Sequence, residues 1–194
     1  MRQLVLDISP PPQPTLENFI PGANAELLQR LREFRAGTFA ESVLYLWGGH
    51  GSGKSHLLTA CAGAAAVDDA ERLDDAGQAA LFNAINEARQ AGGRVLAAGA
   101  LPPAQLPLRE DVRSRLAWGL VYELKPLTDA ERSAFLHGEA ARRGIPLAEE
   151  VVVFLLTRMR RDLRSLTAVL DRLDRYSLET KRAITLPLVR EALK

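Results

Sequence analysis

Val43-Leu44-Tyr45-Leu46-Trp47 runs straight into Gly48-Gly49-His50-Gly51-Ser52-Gly53-Lys54-Ser55, and His56-Leu57-Leu58-Thr59-Ala60-Cys61-Ala62 follows. The first five residues are β-branched, aromatic and aliphatic, as in a strand buried on both faces. From Ser55 onward the composition predicts a helix. Between strand and helix, every fixed position of the pattern G-x-x-x-x-G-K-[ST] is filled. Gly49, Gly51 and Gly53 let the backbone curl until successive N–H groups, that of Ser52 among them, point inward at phosphate oxygens. The following helix adds the positive end of its dipole. Lys54 brings a point charge to the outer phosphates, and Ser55 offers a hydroxyl to Mg2+. The stretch predicts an α/β domain that binds a nucleoside di- or triphosphate. A glycine-rich turn with no ligand is the competing reading.

Length and composition set the frame. A chain of 194 residues has room for one α/β domain and a small helical one. Hydrophobic residues make up 47%, enough for a sizeable core, and a net charge of +1 argues against a dedicated nucleic-acid domain. One cysteine, Cys61, excludes an intramolecular disulfide framework and suits a reducing cytoplasm. No apolar run approaches a membrane span, Val151 to Leu156 being a short core segment, and the start of the chain lacks a secretion signal. A cytoplasmic protein with no membrane partner is expected.

Residues 1–8 form a partly apolar tip, and residues 9–14 carry four prolines, which predicts an extended tether. A helix is expected from Asn24 to Phe34, with Asn24 as cap, Leu27, Leu28 and Leu31 on one face, and Gly37 as stop. Residues 64–67 predict a weak buried strand ending in Asp68 and Asp69. A helix from Asp75 to Gln90 carries Leu81, Phe82, Ile85 and Ala88 at the spacing of one buried stripe. Strands are expected over 94–98 and 120–124, with a short helix over 110–118 between them. After Pro126 the pattern changes. Thr128-Asp129-Ala130-Glu131 is a capping box that opens a helix to Arg143. Further helices are expected over 147–159, 163–177 with Asp162 as cap, and 186–193. Strands alternating with helices, then helices alone, predict a parallel-sheet domain over 15–126 and a helical lid over 127–194.

A phosphate loop needs a second site to hold Mg2+ and orient water. Asp68 and Asp69 end a strand downstream, where such a pair belongs: Asp68 to hold the metal, mostly through water, and Asp69 to orient or deprotonate the attacking water. Without the loop upstream, the pair would read as a surface turn.

Several motifs together resemble a known family. They are the loop Gly48–Ser55, the Asp68-Asp69 pair, the turn Ala100-Leu101-Pro102-Pro103, the run Arg113-Ser114-Arg115-Leu116-Ala117-Trp118-Gly119-Leu120 and the tail Ile184-Thr185-Leu186-Pro187-Leu188-Val189-Arg190-Glu191-Ala192-Leu193. Over nearly the whole chain they look like the P-loop AAA+ core of the bacterial DnaA family of replication initiators. The chain stops where DnaA would begin its C-terminal DNA-binding domain and has no room for its N-terminal domain. That plan is similar to Hda, the family's regulatory branch. The resemblance implies ADP or ATP with Mg2+ as ligands and DnaA as a partner. Gln3-Leu4-Val5-Leu6-Asp7-Ile8 resembles the motif by which Hda proteins dock on the sliding clamp, the beta subunit of DNA polymerase III. There Gln3 would hydrogen-bond at a pocket rim, and Leu4, Leu6 and Ile8 would supply apolar anchors. A disordered start or an edge strand is the other reading of that tip. Arg115 matches the arginine finger, which reaches a neighbour's γ-phosphate. Arg164 matches the sensor 2 arginine, which reaches the protein's own nucleotide. Phe19-Ile20-Pro21-Gly22 and Asn24 resemble the segment beside the adenine. The activity implied is stimulation of the hydrolysis of DnaA-bound ATP, repressing re-initiation, with DNA met only through the clamp. Homodimerisation is compatible with the complementary edges of AAA+ domains. A DNA-binding initiator or loader, and an autonomous P-loop ATPase, are the alternatives.

Two departures from the family stand out. Ala100 occupies the sensor 1 position, where a polar residue is usual, which puts efficient hydrolysis at the chain's own site in doubt. Lys54 and Asp68 are separated by 13 residues, where the family fits a further helix and strand. Nine helical residues span about 13.5 Å against roughly 17 Å for a five-residue strand, close to the minimum for a crossover.

Overall fold

The computed structural model describes residues 13–38, 40–61, 65–160 and 162–193. They form two compact units, one over Gln13–Pro126 and the other from Leu127 onward. The expected tip, with Gln3, Leu4, Leu6 and Ile8, lies outside the described residues.

The first unit is built on four strands, β1 (Val43–Trp47), β2 (Ala65–Val67), β3 (Val95–Gly99) and β4 (Leu120–Glu123). They join in the order β2-β3-β1-β4. Every neighbouring pair is parallel, with Trp47 of β1 opposite Gly99 of β3 and Glu123 of β4. Four helices accompany them: α1 (Ala25–Ala36), α2 (Lys54–Ala60), α3 (Asp75–Ala91) and α4 (Glu110–Leu116). The period-two alternation of the central strands divides the core. Leu44, Leu46, Leu96 and Ala98 pack with Leu27, Leu28, Leu31 and Phe34 of α1 and with Leu57 and Leu58 of α2. Val43, Tyr45, Val95 and Ala97 pack with Leu81, Ile85 and Ala88 of α3 and with Val112 and Leu116 of α4. The result is a parallel sheet covered by helices on both faces, which is why β1 and β3 are apolar throughout. Cys61 lies in the first of these layers, 2% exposed, and burial pushes its thiol up to about 11.

Two expectations about this unit are corrected. β2 was expected to be buried, yet Ala65 and Ala66 are exposed and Val67 half-buried. β2 pairs with β3 alone and no described strand flanks its other side, so small side chains suffice there. The family's further helix and strand are absent from the described residues between Lys54 and Asp68, which hold α2 and β2. Asn24 precedes α1, but its side chain makes no cap bond. Instead its amide nitrogen donates to the carbonyls of Pro21 and Lys125, both at 2.9 Å, and its amide oxygen accepts from Lys125 N–H at 2.8 Å. A residue chosen on local grounds as a cap is instead a latch to the end of β4.

The second unit holds α5 (Asp129–Arg142), α6 (Glu149–Arg158), α7 (Leu163–Thr180) and α8 (Leu186–Ala192). The Thr128–Glu131 capping box is present in full. Val151, Leu155, Val169, Leu173, Leu188 and Val189 form one apolar cluster, and Leu136, Val152, Leu166 and Leu170 another. Asp162 caps α7, accepting the Ser165 N–H at 2.8 Å. Burial pushes its carboxyl up, but the N–H and hydroxyl of Ser165 and the charge of Arg160 outweigh it and hold the group below its ordinary value. The cap's contribution is therefore complete above the ordinary carboxylate range and is lost as pH falls through the lowered value. Asp162→Ala is expected to cost this unit about 1 kcal/mol, measured as a lower thermal midpoint at neutral pH. Among the described residues, no helix is long and apolar enough to cross a membrane.

Candidate functional site

The loop after β1 occupies the carboxyl edge of the parallel sheet, where ligands of such folds bind. Gly48 N–H donates to the Gly99 carbonyl at 3.3 Å, which holds the loop's start to β3. Gly51 and Gly53 take φ of 74° and 103°, a region closed to most side chains. A Cβ on Gly53 would also fall 2.8 Å from the Phe19 ring, whereas Gly49 faces open space. α2 begins at Lys54, so its unpaired N–H groups open onto the loop. The Lys54 ammonium donates to the carbonyls of Gly48 and Gly49, at 2.7 and 3.1 Å. The Ser52 hydroxyl is buried and makes no hydrogen bond among the described residues. Glycine curvature, a lysine at the helix start and an unsatisfied hydroxyl fit an anionic ligand. The Ser55 side chain is exposed, and its carbonyl accepts the Thr59 hydroxyl at 2.8 Å.

The segment before α1 lies over this loop. Leu16 is fully buried with Leu57 and Leu58, and Phe19 and Ile20 are half-buried. Phe19 stands 5.5 Å from His56, ring centre to ring centre.

Asp68 and Asp69 follow β2 and are exposed. In this strand order β3 lies between their strand and β1, so about 10 Å of sheet separates β2 from β1. Asp69 adopts φ 47°, with its N–H on the Asp68 carboxylate at 2.9 Å and an ion pair to Arg72 at 3.3 Å. A single carboxylate beyond the pair was missed by sequence reasoning. Glu71 accepts the Ala100 N–H at 3.0 Å, which ties the aspartate turn to the end of β3. Tyr45 donates to the Leu101 carbonyl beside it at 2.8 Å. Burial, then the Glu71 charge, pushes its phenol well above the usual value. Ala100, the residue without a polar side chain, is thus braced through its backbone. No spacing rule signals such a contact. Among the described residues, no group of three His, Cys, Asp or Glu side chains is gathered to hold a metal by itself.

Arg115 stands at the opposite edge. It lies in the last turn of α4, ahead of β4, whose first residue pairs near the start of β1. Its Nε donates to Asn86 Oδ1 at 2.9 Å and its Nη1 to the Asp111 carbonyl at 3.2 Å. The guanidinium lies 3.7 Å from the Phe82 ring centre and 4.8 Å from that of Trp118. Phe82 and Asn86, four residues apart on α3, present one clasp. The length of β1, on the order of 15 Å, separates this clasp from the phosphate loop. Arg164, exposed in the first turn of α7, belongs to the second unit.

The described geometry has known counterparts. Residues 129–193, about a third of the chain, match the family model for the Hda lid domain. Domain III of the Thermotoga maritima replication initiation protein DnaA is similar over 95% of this chain and 98% of its own, with a TM-score of 0.77 at 22% identity. The second unit thus matches the Hda lid-domain family, and the fold is that of DnaA domain III. The fold is also similar to that of AMPPCP-bound DnaA from Aquifex aeolicus, at TM-score 0.70 and 19% identity over 84% of this chain and 65% of that one. The Thermotoga maritima RuvB branch migration motor is similar at TM-score 0.70 and 19% identity, over 93% of this chain and 71% of that one.

Proposed function

We propose that this chain is a nucleotide-bound regulator of DnaA, which offers Arg115 to the ATP held by a DnaA neighbour and so promotes its hydrolysis. The observation that carries the reading is the distance between the two ends of the sheet. A cation clasped at the amino edge cannot serve a phosphate loop at the carboxyl edge of the same chain, so its use requires a second molecule. The chain's own loop would hold ADP or ATP through Gly49, Gly51, Ser52, Gly53 and Lys54, with Phe19 and Ile20 beside the adenine; Arg164 would take the sensor 2 role that the resemblance implies. Ser55 and Asp68 would hold Mg2+, and Asp69 would orient water. When bound, Mg2+ neutralises phosphate charge. Residues 3–8 would dock on the sliding clamp, which would bring the regulator to DNA. A homodimer would use the same two sheet edges.

Two measurements test this. Lys54→Ala is expected to weaken ADP binding with Mg2+ between ten- and a hundred-fold, and unchanged binding removes the loop from the account. A pull-down with clamp and DnaA, with and without residues 1–8, is expected to lose the clamp on deletion. Retention of the clamp without the tip discards the docking model.

A further inference from the structure

We propose that His56 is a positioning residue for base recognition: it pins the segment Thr15–Pro21 over the phosphate loop and thereby sets which nucleobase the site accepts. The inference rests on the nucleotide reading above and goes beyond it. His56 is the second residue after the lysine of the loop pattern, and that pattern gives it no task. In the structure its Nε2 lies 2.9 Å from the Thr15 carbonyl oxygen. A carbonyl can only accept, so Nε2 carries the proton and donates. The bond joins α2 to a segment 41 residues earlier in the chain.

Everything around that bond makes the segment a preformed unit. Thr15 N–H donates to Asn18 Oδ1 at 2.9 Å, Asn18 N–H donates to the Thr15 hydroxyl at 3.1 Å, and the Asn18 amide donates to the Gln13 carbonyl at 2.9 Å. Leu16 anchors the turn in the core beside α2, fully buried. The far end is fixed by Asn24, through Pro21 and Lys125. Between the anchors, Phe19 sits on His56 and against Gly53, where an added methyl would meet its ring. The histidine side chain therefore fills the space between loop and segment and sets their separation. A base held above the loop would be read by the Phe19 ring and by backbone groups of 19–21. Such reading demands placement to within about half an ångström, and polar groups so placed are what reject the wrong base. Losing the pin would let the segment drift while leaving the phosphate cradle intact.

The test compares ADP and GDP binding, each with Mg2+, by calorimetry on the full chain and four variants. The unmodified protein is expected to prefer ADP. His56→Ala should weaken ADP by about ten-fold and GDP by much less, so that the preference collapses. His56→Gln, whose amide can donate to Thr15, should restore most of it. Phe19→Leu should reduce the preference in the same direction, and the double variant with His56→Ala should add little, because both act through one segment. An equal loss for both nucleotides in His56→Ala, no loss, or no preference in the unmodified protein overturns the positioning role and leaves nucleotide binding standing. Failure of the unmodified protein to bind either nucleotide overturns both readings together.

Discussion

Arg115→Ala is expected to leave ADP retention and clamp docking intact and to reduce stimulation of DnaA-bound ATP hydrolysis by about a thousand-fold. A guanidinium delivered in trans neutralises charge that develops on the transferring phosphoryl group, and nothing else on α4 can take its place. Arg113 is held by the Ala104 carbonyl at 3.2 Å, and Arg109 is paired with Asp111. Arg115→Lys should rescue little, since an ammonium lacks the planar fork that spans two phosphate oxygens and stacks on a ring. The clasp gives the experiment its control. Removing Arg115 forfeits its stacking on Phe82 and Trp118, worth about 1 kcal/mol, so the variant should remain folded. Stimulated hydrolysis at the unmodified rate would remove the finger assignment, with DnaA turnover as the readout.

Gly119→Ala is expected to cost more than about 3 kcal/mol and to leave little folded protein. The residue joins α4 to β4 where the chain crosses the start of β1. A Cβ there would drive into the Val43 carbonyl, 2.6 Å from its carbon and 2.8 Å from Val43 Cβ. Both obstacles belong to a buried strand, so neither can yield cheaply. Gly138 is the counterexample. It lies inside α5, nothing stands within 4 Å of a Cβ added there, and Gly138→Ala should stabilise by about 0.5–1 kcal/mol. Denaturant midpoints of the two variants should move in opposite directions. Equal midpoints would mean that the β1–β4 crossing is looser than described.

Elements whose signals are local were legible from sequence. β1 and the phosphate loop carry composition and spacing within a dozen residues. Gly37 and Gly92 stop helices in the left-handed conformation, and the Thr128 box closes on itself within four residues. What sequence could not convey is set by neighbours distant in the chain. The short apolar run before Asp68 reads as a strand, but only the sheet order says that it pairs on one side. Asn24 has the chemistry of a cap, and a partner 101 residues away decides that it is a latch. Arg115 could be aligned with a family motif, whereas its clasp by Phe82 and Asn86 depends on two helices lying side by side. The contacts of Glu71 and His56 follow from the folded sheet and leave no pattern to search for.

The state of Cys61 bears on how all of these measurements can be made. The chain holds 1 cysteine, sealed in the layer beneath α2 and with a thiol that stays protonated at neutral pH. A cysteine introduced on an exposed position, such as Glu17→Cys on the segment over the loop, would then react far faster than the native one. A single fluorophore could be attached there without first removing any residue, and its emission would follow that segment as nucleotide is added.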